Sequence, residues 1–268
     1  MTNPFPIEKT KWTARGAWKC WLALILLEGL ISIWLRIAQS HSVSANWLTL
    51  HEYTVQNAIK TFRVGLWLFV AYLFSGSSTI QNFVQSTGLS RRPNLLGWLG
   101  AWVVIGISFI DGLGVTKNLT SPNEVTRGFI SHGGEALLFY VLFVISVGPF
   151  FEEVVMRGFM YQAFRGSYGR FLSTVLVVCV GAWFHWGAVI HSLWTPACLF
   201  SLWILLCAMR EWTGSVWNCV LCHAAYNAAV TVNWPFYVVG MILLLPCCAY
   251  RQRTTEASRR ELDDNRLS

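Results

Sequence analysis

The sequence predicts an all-α, polytopic membrane protein: about eight transmembrane helices bundled around a polar intramembrane cavity. Three observations carry this expectation. First, the 268 residues are 54% hydrophobic and 12% charged, with a mean hydropathy of +0.47, too apolar for an ordinary soluble domain. Second, the apolar residues come in long runs separated by polar, Gly- and Pro-containing segments. Third, the 15 Trp suit interfacial belts, where an amphipathic ring sits at headgroup depth. The formal charge of +7 gathers at the two ends, in Lys9, Lys11, Arg15 and Lys19 and again from Arg251 onward. Positive-inside anchoring accounts for that pattern, so no nucleic-acid partner is expected.

In chain order, residues 1–20 read as a basic cytoplasmic tail, and 21–133 as helices one to three with their loops. The first run, 21–35, contains Glu28 and closes at Arg36. Val43-Ser44-Ala45 resembles a signal cleavage site but lies well past the run, so an uncleaved membrane helix is expected. The second span covers 64–78, extended back towards Ala58, and the third covers 95–110, ending near Asp111. The following loop holds a glycosylation sequon, Asn118-Leu119-Thr120. Further spans are expected at about 134–165, 169–187, 195–210, 214–233 and 235–249, before a charged cytoplasmic tail at 251–268. Lys and Arg are richer on the side of both termini, placing both in the cytoplasm; a re-entrant run would reduce the count to seven. The eight Cys lie mostly in apolar runs and read as buried free thiols. Cys219 and Cys222 have CxxC spacing but no second pair to suggest zinc or redox chemistry. There is no internal repeat.

The chain is organised around Gly148-Pro149-Phe150-Phe151-Glu152-Glu153-Val154-Val155-Met156-Arg157-Gly158, which sets two acids and an arginine inside an apolar run. Ionisable groups in the membrane are costly and functional by default. On a helix Glu153 and Arg157 share a face, and Glu152 lies about 100° away. Glu153 is therefore expected to pair with Arg157, leaving Glu152 for chemistry. Pro149 would start a helix or kink a continuing one. A start would put both acids at a positive dipole end.

The other strongly polar groups within apolar runs are Glu28, His185, His223 and Asn227, with Asp111 at an edge. His223 and Asn227 are spaced i, i+4 and share a helix face. A carboxylate beside a His can hold and deprotonate a water, and a further His with an Asn can donate to a developing oxyanion. Glu152, His185 and His223 could equally form a two-His, one-carboxylate zinc site. For any one of these residues alone, a structural interhelical hydrogen bond is the plainer reading.

EExxxR at Glu152-Glu153-Arg157, then His185, then HxxxN at His223-Asn227 resembles the CPBP family of CAAX prenyl proteases and bacteriocin-processing enzymes, also called Abi or Ras-converting-enzyme-like. Arg157-Gly158-Phe159 and Ser215-Val216-Trp217 resemble it too. The resemblance covers about 134–232, within a CPBP-like core of 134–250. It implies an eight-helix intramembrane endopeptidase in which Glu152 and His185 activate water, His223 and Asn227 form the oxyanion hole, and Glu153 and Arg157 support the site. It implies no cofactor, with zinc as the alternative. One departure stands out: the family's second motif is usually FxxxH, but here Gly181 takes the aromatic position and Phe184 precedes His185. His191 is a weaker competitor for that role.

The function expected is an intramembrane endopeptidase acting on a membrane-embedded or lipidated, CAAX-like or C-terminally tagged protein. Its setting would be the bilayer of a bacterial cell membrane. The alternatives are a non-catalytic scaffold or bacteriocin self-immunity protein of the same fold, and a proton-coupled transporter, against which the missing repeat counts.

Overall fold

The computed structural model describes residues 12–41, 52–115, 140–185 and 194–231. All regular structure among them is helical. The span expected at 235–249, residues 1–11 of the first tail, the tail at 251–268, the Asn118 sequon and His191 lie outside the described residues.

Helix α1 runs Ala14–His41, starting before the apolar run, so Arg15 and Lys19 ride on the helix and are not part of a tail. Ala17, Cys20 and Leu24 are fully buried, at helical spacing, while Leu22, Leu26, Leu30 and Ile33 are exposed on the other side. A helix apolar all round, with one face packed and the other bare, suits a lipid surround. Helix α2 (Glu52–Ser75) packs on α1. At Gly76 (φ 67°) the chain turns through 97° into a short helix the sequence reading missed, α3 (Ile80–Thr87). Thr79 caps α3 by accepting from the Asn82 amide at 3.1 Å, and Gly88 ends it in the left-handed region.

Helix α4 (Leu95–Val115) lies against α8 (Val216–Thr231). Small residues allow the approach: a Cβ on Gly97 would run into the Asn218 side chain, and one on Gly100 would meet Cys222 Sγ at 2.9 Å. Asn218 ties the pair, accepting from the Asn94 amide at 3.0 Å and donating to Asn94 Oδ1 at 3.2 Å.

The central path is helical from Tyr140 to Phe184, with one interruption at Gly169. Tyr140–Val147 and Val154–Met160 are wound as π-helix around α5 (Gly148–Glu153), followed by α6 (Tyr161–Phe184). Val147 is itself helical (φ −68°, ψ −46°), so Pro149 sits in a continuing helix and not at a free start. The dipole-end argument for the two acids therefore does not apply. A π-wound turn before Pro149 accommodates a residue that cannot donate a backbone bond. Gly169 (φ 79°, ψ 178°) breaks α6 in a conformation essentially restricted to glycine, close to where the fourth and fifth spans were expected to part. Every residue of 153–164 is buried. Gly158 makes this possible: a Cβ there would meet Thr87 of α3 at 3.0 Å and Val216 of α8 at 3.4 Å.

Helix α7 (Trp194–Thr213) returns against α4 and α6 and hands over to α8 through Gly214 (φ 64°). At that end Glu211 gathers Arg165 (2.7 Å), Arg170 (3.0 Å) and the Tyr161 hydroxyl (3.1 Å), fastening α6 to α7. By length and composition, two described stretches are able to cross a membrane, Ala14–Trp34 and Ile145–Phe184. The bent pair Phe62–Ser75 and Ile80–Thr87 adds a third if it is a single span.

Candidate active site

The two adjacent acids separate as their helical positions predict. Glu153 is fully buried and its Oε1 accepts from Arg157 Nη1 at 3.0 Å, the expected i, i+4 pair. Arg157 also reaches the Trp203 carbonyl of α7 from Nη2 at 3.4 Å. Glu152 points the other way, partly exposed, into a cavity of about 300 Å³. That cavity is also lined by His185 and Asn227, so three of the four expected catalytic residues border one space.

Both histidines are oriented in the same manner. His185 caps the end of α6, where its Nδ1 lies 3.0 Å from the Gly181 carbonyl. A carbonyl only accepts, so Nδ1 donates. His223 is buried on α8 with Nδ1 2.8 Å from Glu153 Oε1. Each ring is thus anchored through Nδ1 and turns Nε2 towards Glu152 Oε2, at 4.0 Å in both cases. Glu153 consequently does more than balance Arg157: it links α5, the π-turn after it and α8, and holds His223. Sequence spacing reveals the Arg157 pairing but not the His223 contact, which joins positions seventy apart. Asn227 lies one turn beyond His223 on α8.

Three further residues at the site escaped the sequence reading. Arg63 and Trp67 of α2 line the cavity. Arg63 pairs from mid-helix with Glu28 at 2.9 Å, and Trp67 Nε1 donates to the same Glu28 Oε1 at 2.6 Å. Intramembrane Glu28 thus braces two side chains that line the site. Trp203 of α7 packs its ring 5.3 Å from the His185 ring, centroid to centroid. It also covers Gly181, where a Cβ would meet the indole at 3.3 Å. The aromatic missing from position 181 is thereby replaced, at the same histidine, from another helix. Asp111 falls within α4, and its side chain lies outside the described set.

Residues 134–229 match the family described as Type II CAAX prenyl endopeptidase, Rce1-like. This part of the chain is similar to an Rce1-like domain. The match spans the residues of all three motifs, from Glu152 to Asn227, and starts after α1 to α4. No curated protein and no solved structure matches the chain. The Rce1-like family is one of CAAX-type intramembrane proteases, and with the apolar helices it makes this chain an integral membrane protein. Among the described residues, no group of three or more His, Cys, Asp or Glu has the arrangement of a metal site.

Proposed function

We propose that the chain is an intramembrane endopeptidase in which Glu152 is the general base for water attack on a peptide bond of a membrane-embedded or lipidated, CAAX-like substrate. One observation supports this above the others: two imidazoles, each fixed through Nδ1, direct Nε2 at a single Glu152 oxygen from 4.0 Å. That separation is too long for a direct hydrogen bond and suits groups that share one water.

The chemistry follows from the donors and acceptors. Glu152 and neutral His185 Nε2 both accept, so a water donates to each. Glu152 takes one proton as the oxygen attacks the carbonyl carbon, and the C=O electron pair moves onto oxygen. Asn227 donates its amide N–H to that oxyanion. His223 can donate as well only as an imidazolium, because Nδ1 is engaged by Glu153; that carboxylate is its counter-ion. Collapse re-forms C=O and breaks C–N, and the proton held by Glu152 passes to the leaving amine. A zinc ion held by Glu152, His185 and His223 would bring ligand atoms to about 3.3 Å from one another, given metal–ligand distances of about 2.0–2.1 Å. The separations from Glu152 are wider, so we place the activation of water on Glu152 and His185 without a metal. Both termini are proposed to be cytoplasmic, in a bacterial membrane.

The test is cleavage of a farnesylated CAAX peptide by detergent-purified protein. Glu152→Gln should reduce turnover to background with unchanged folding, and a strong chelator should leave wild-type turnover intact. Full activity in Glu152→Gln would overturn the assignment. Loss on chelation, restored by zinc, would favour the metal reading.

A further inference from the structure

Among the described residues lining the cavity beside Glu152, Arg63 is the one permanent cation. The walls around it are apolar and aromatic: Val64, Trp67, Phe143, Pro149 and Phe184. Its placement is built. Arg63 and Trp67 are four apart on one face of α2, and a single Glu28 oxygen takes both, Arg63 Nε at 2.9 Å and Trp67 Nε1 at 2.6 Å. The Trp67 ring then packs on Phe184, centroids 4.5 Å apart, next to His185 in the chain. Glu28 therefore braces two cavity-lining side chains against the element that carries the second motif.

A guanidinium bound at Nε keeps its other edge, the parallel Nη pair, as the geometry that receives a carboxylate in a fork. Four of the ten lining residues, Trp67, Phe143, Phe184 and Pro149, are aromatic or proline, so a carboxylate entering the cavity without a partner would be strongly disfavoured. The Glu152 charge in the same cavity would repel it further. Arg63 offsets both effects at its own position only, so it dictates which way round a peptide lies.

We propose that Arg63 is the carboxylate subsite of this cavity: a peptide ending in a free carboxylate docks that group on Arg63, braced by Glu28, with the bond to be cut beside Glu152. The proposal rests on the endopeptidase reading above. A CAAX box is a C-terminal tetrapeptide, so an endopeptidase that cuts within it must accommodate a short segment bearing the chain's own α-carboxylate. A cavity of about 300 Å³ is of the size for such a segment.

The experiment compares binding of three farnesylated CAAX peptides to detergent-purified protein: the free acid, its C-terminal amide, and an amide with Asp as last residue. Wild type should bind the free acid about tenfold or more tighter than the plain amide, as a charge-assisted pair requires. Arg63→Gln should abolish the preference. So should the double variant Glu28→Gln/Arg63→Gln, which leaves neither charge of the pair orphaned and keeps the test valid if the single variant folds poorly. Glu28→Gln alone should retain it. Tight binding of the Asp amide, lost with Arg63, would assign the subsite to a side-chain carboxylate. Equal binding of all three peptides to wild type, or a preference that survives in the double variant, overturns the proposal. Cleavage is followed on the same preparations with Glu152→Gln as control. Failure there would count against the endopeptidase reading, whereas the binding contrast decides Arg63 on its own.

Discussion

Two glutamate–arginine pairs hold side chains of this site, and they are built alike. Glu153 holds Arg157 at 3.0 Å and the His223 ring at 2.8 Å; Glu28 holds Arg63 at 2.9 Å and the Trp67 ring at 2.6 Å. In each, one carboxylate oxygen steadies a cation and a ring nitrogen from a different helix position. Their surroundings differ. The Glu153 and Arg157 side chains are 0% and 4% exposed, whereas Glu28 and Arg63 are 20% and 41% exposed. A closed pair must be complete, because a lone buried charge has no solvent to fall back on. An open pair is cheap to alter and is free to exchange partners. The closed pair therefore suits the fixed frame of the catalytic groups, and the open pair suits contact with a substrate. The closed pair also lies within the Rce1-like match at 134–229, and the open pair lies outside it.

The comparison breaks most visibly at Glu153. Glu153→Gln leaves Arg157 buried without its counter-charge and should cost about 3–5 kcal/mol, seen as a large fall in thermal midpoint and in yield of folded protein. A midpoint near that of wild type would mean the network is not closed. Asn227→Ala should instead leave stability nearly unchanged while lowering kcat about 10²–10³-fold, equivalent to about 2.7–4 kcal/mol, with little effect on KM. Unchanged cleavage with lowered stability would remove Asn227 from the oxyanion site and favour a scaffold. The seat of His185 comes next. Gly181→Phe forces an aromatic into the space of the Trp203 ring and should cost about 1–3 kcal/mol by overpacking. Adding Trp203→Ala to it should recover much of that loss and of the turnover, as the two aromatics compete for one space. No recovery would show that Trp203 does not stand in for the missing aromatic. The smallest effect belongs to the open pair: Glu28→Gln should shift stability by about 1 kcal/mol or less. A loss as large as that of Glu153→Gln would erase the distinction between the two pairs.

The sequence by itself determined the helical class, the membrane setting and the residues of the three motifs, because each is written in local spacing. Apolar run length measures a bilayer, and an i, i+4 interval places Glu153 beside Arg157 whatever else the chain does. It also separated Glu152 from Glu153, since adjacent helical residues diverge by about 100°. What it could not supply were contacts between helices whose order along the chain says nothing of their packing. The His223 anchor on Glu153, the Trp203 ring over Gly181, and the Arg63–Glu28 bridge each join separate helices. Arg63 near the start of an apolar run looks the same in sequence whether it ends a span or faces a cavity. Pro149 was ambiguous for a related reason, because a helix start and a π-wound continuation use the same residues, and only the packing of 153–164 on all sides selects the second. Tertiary structure alone decided those points, since burial and helix approach, not spacing, set their energies.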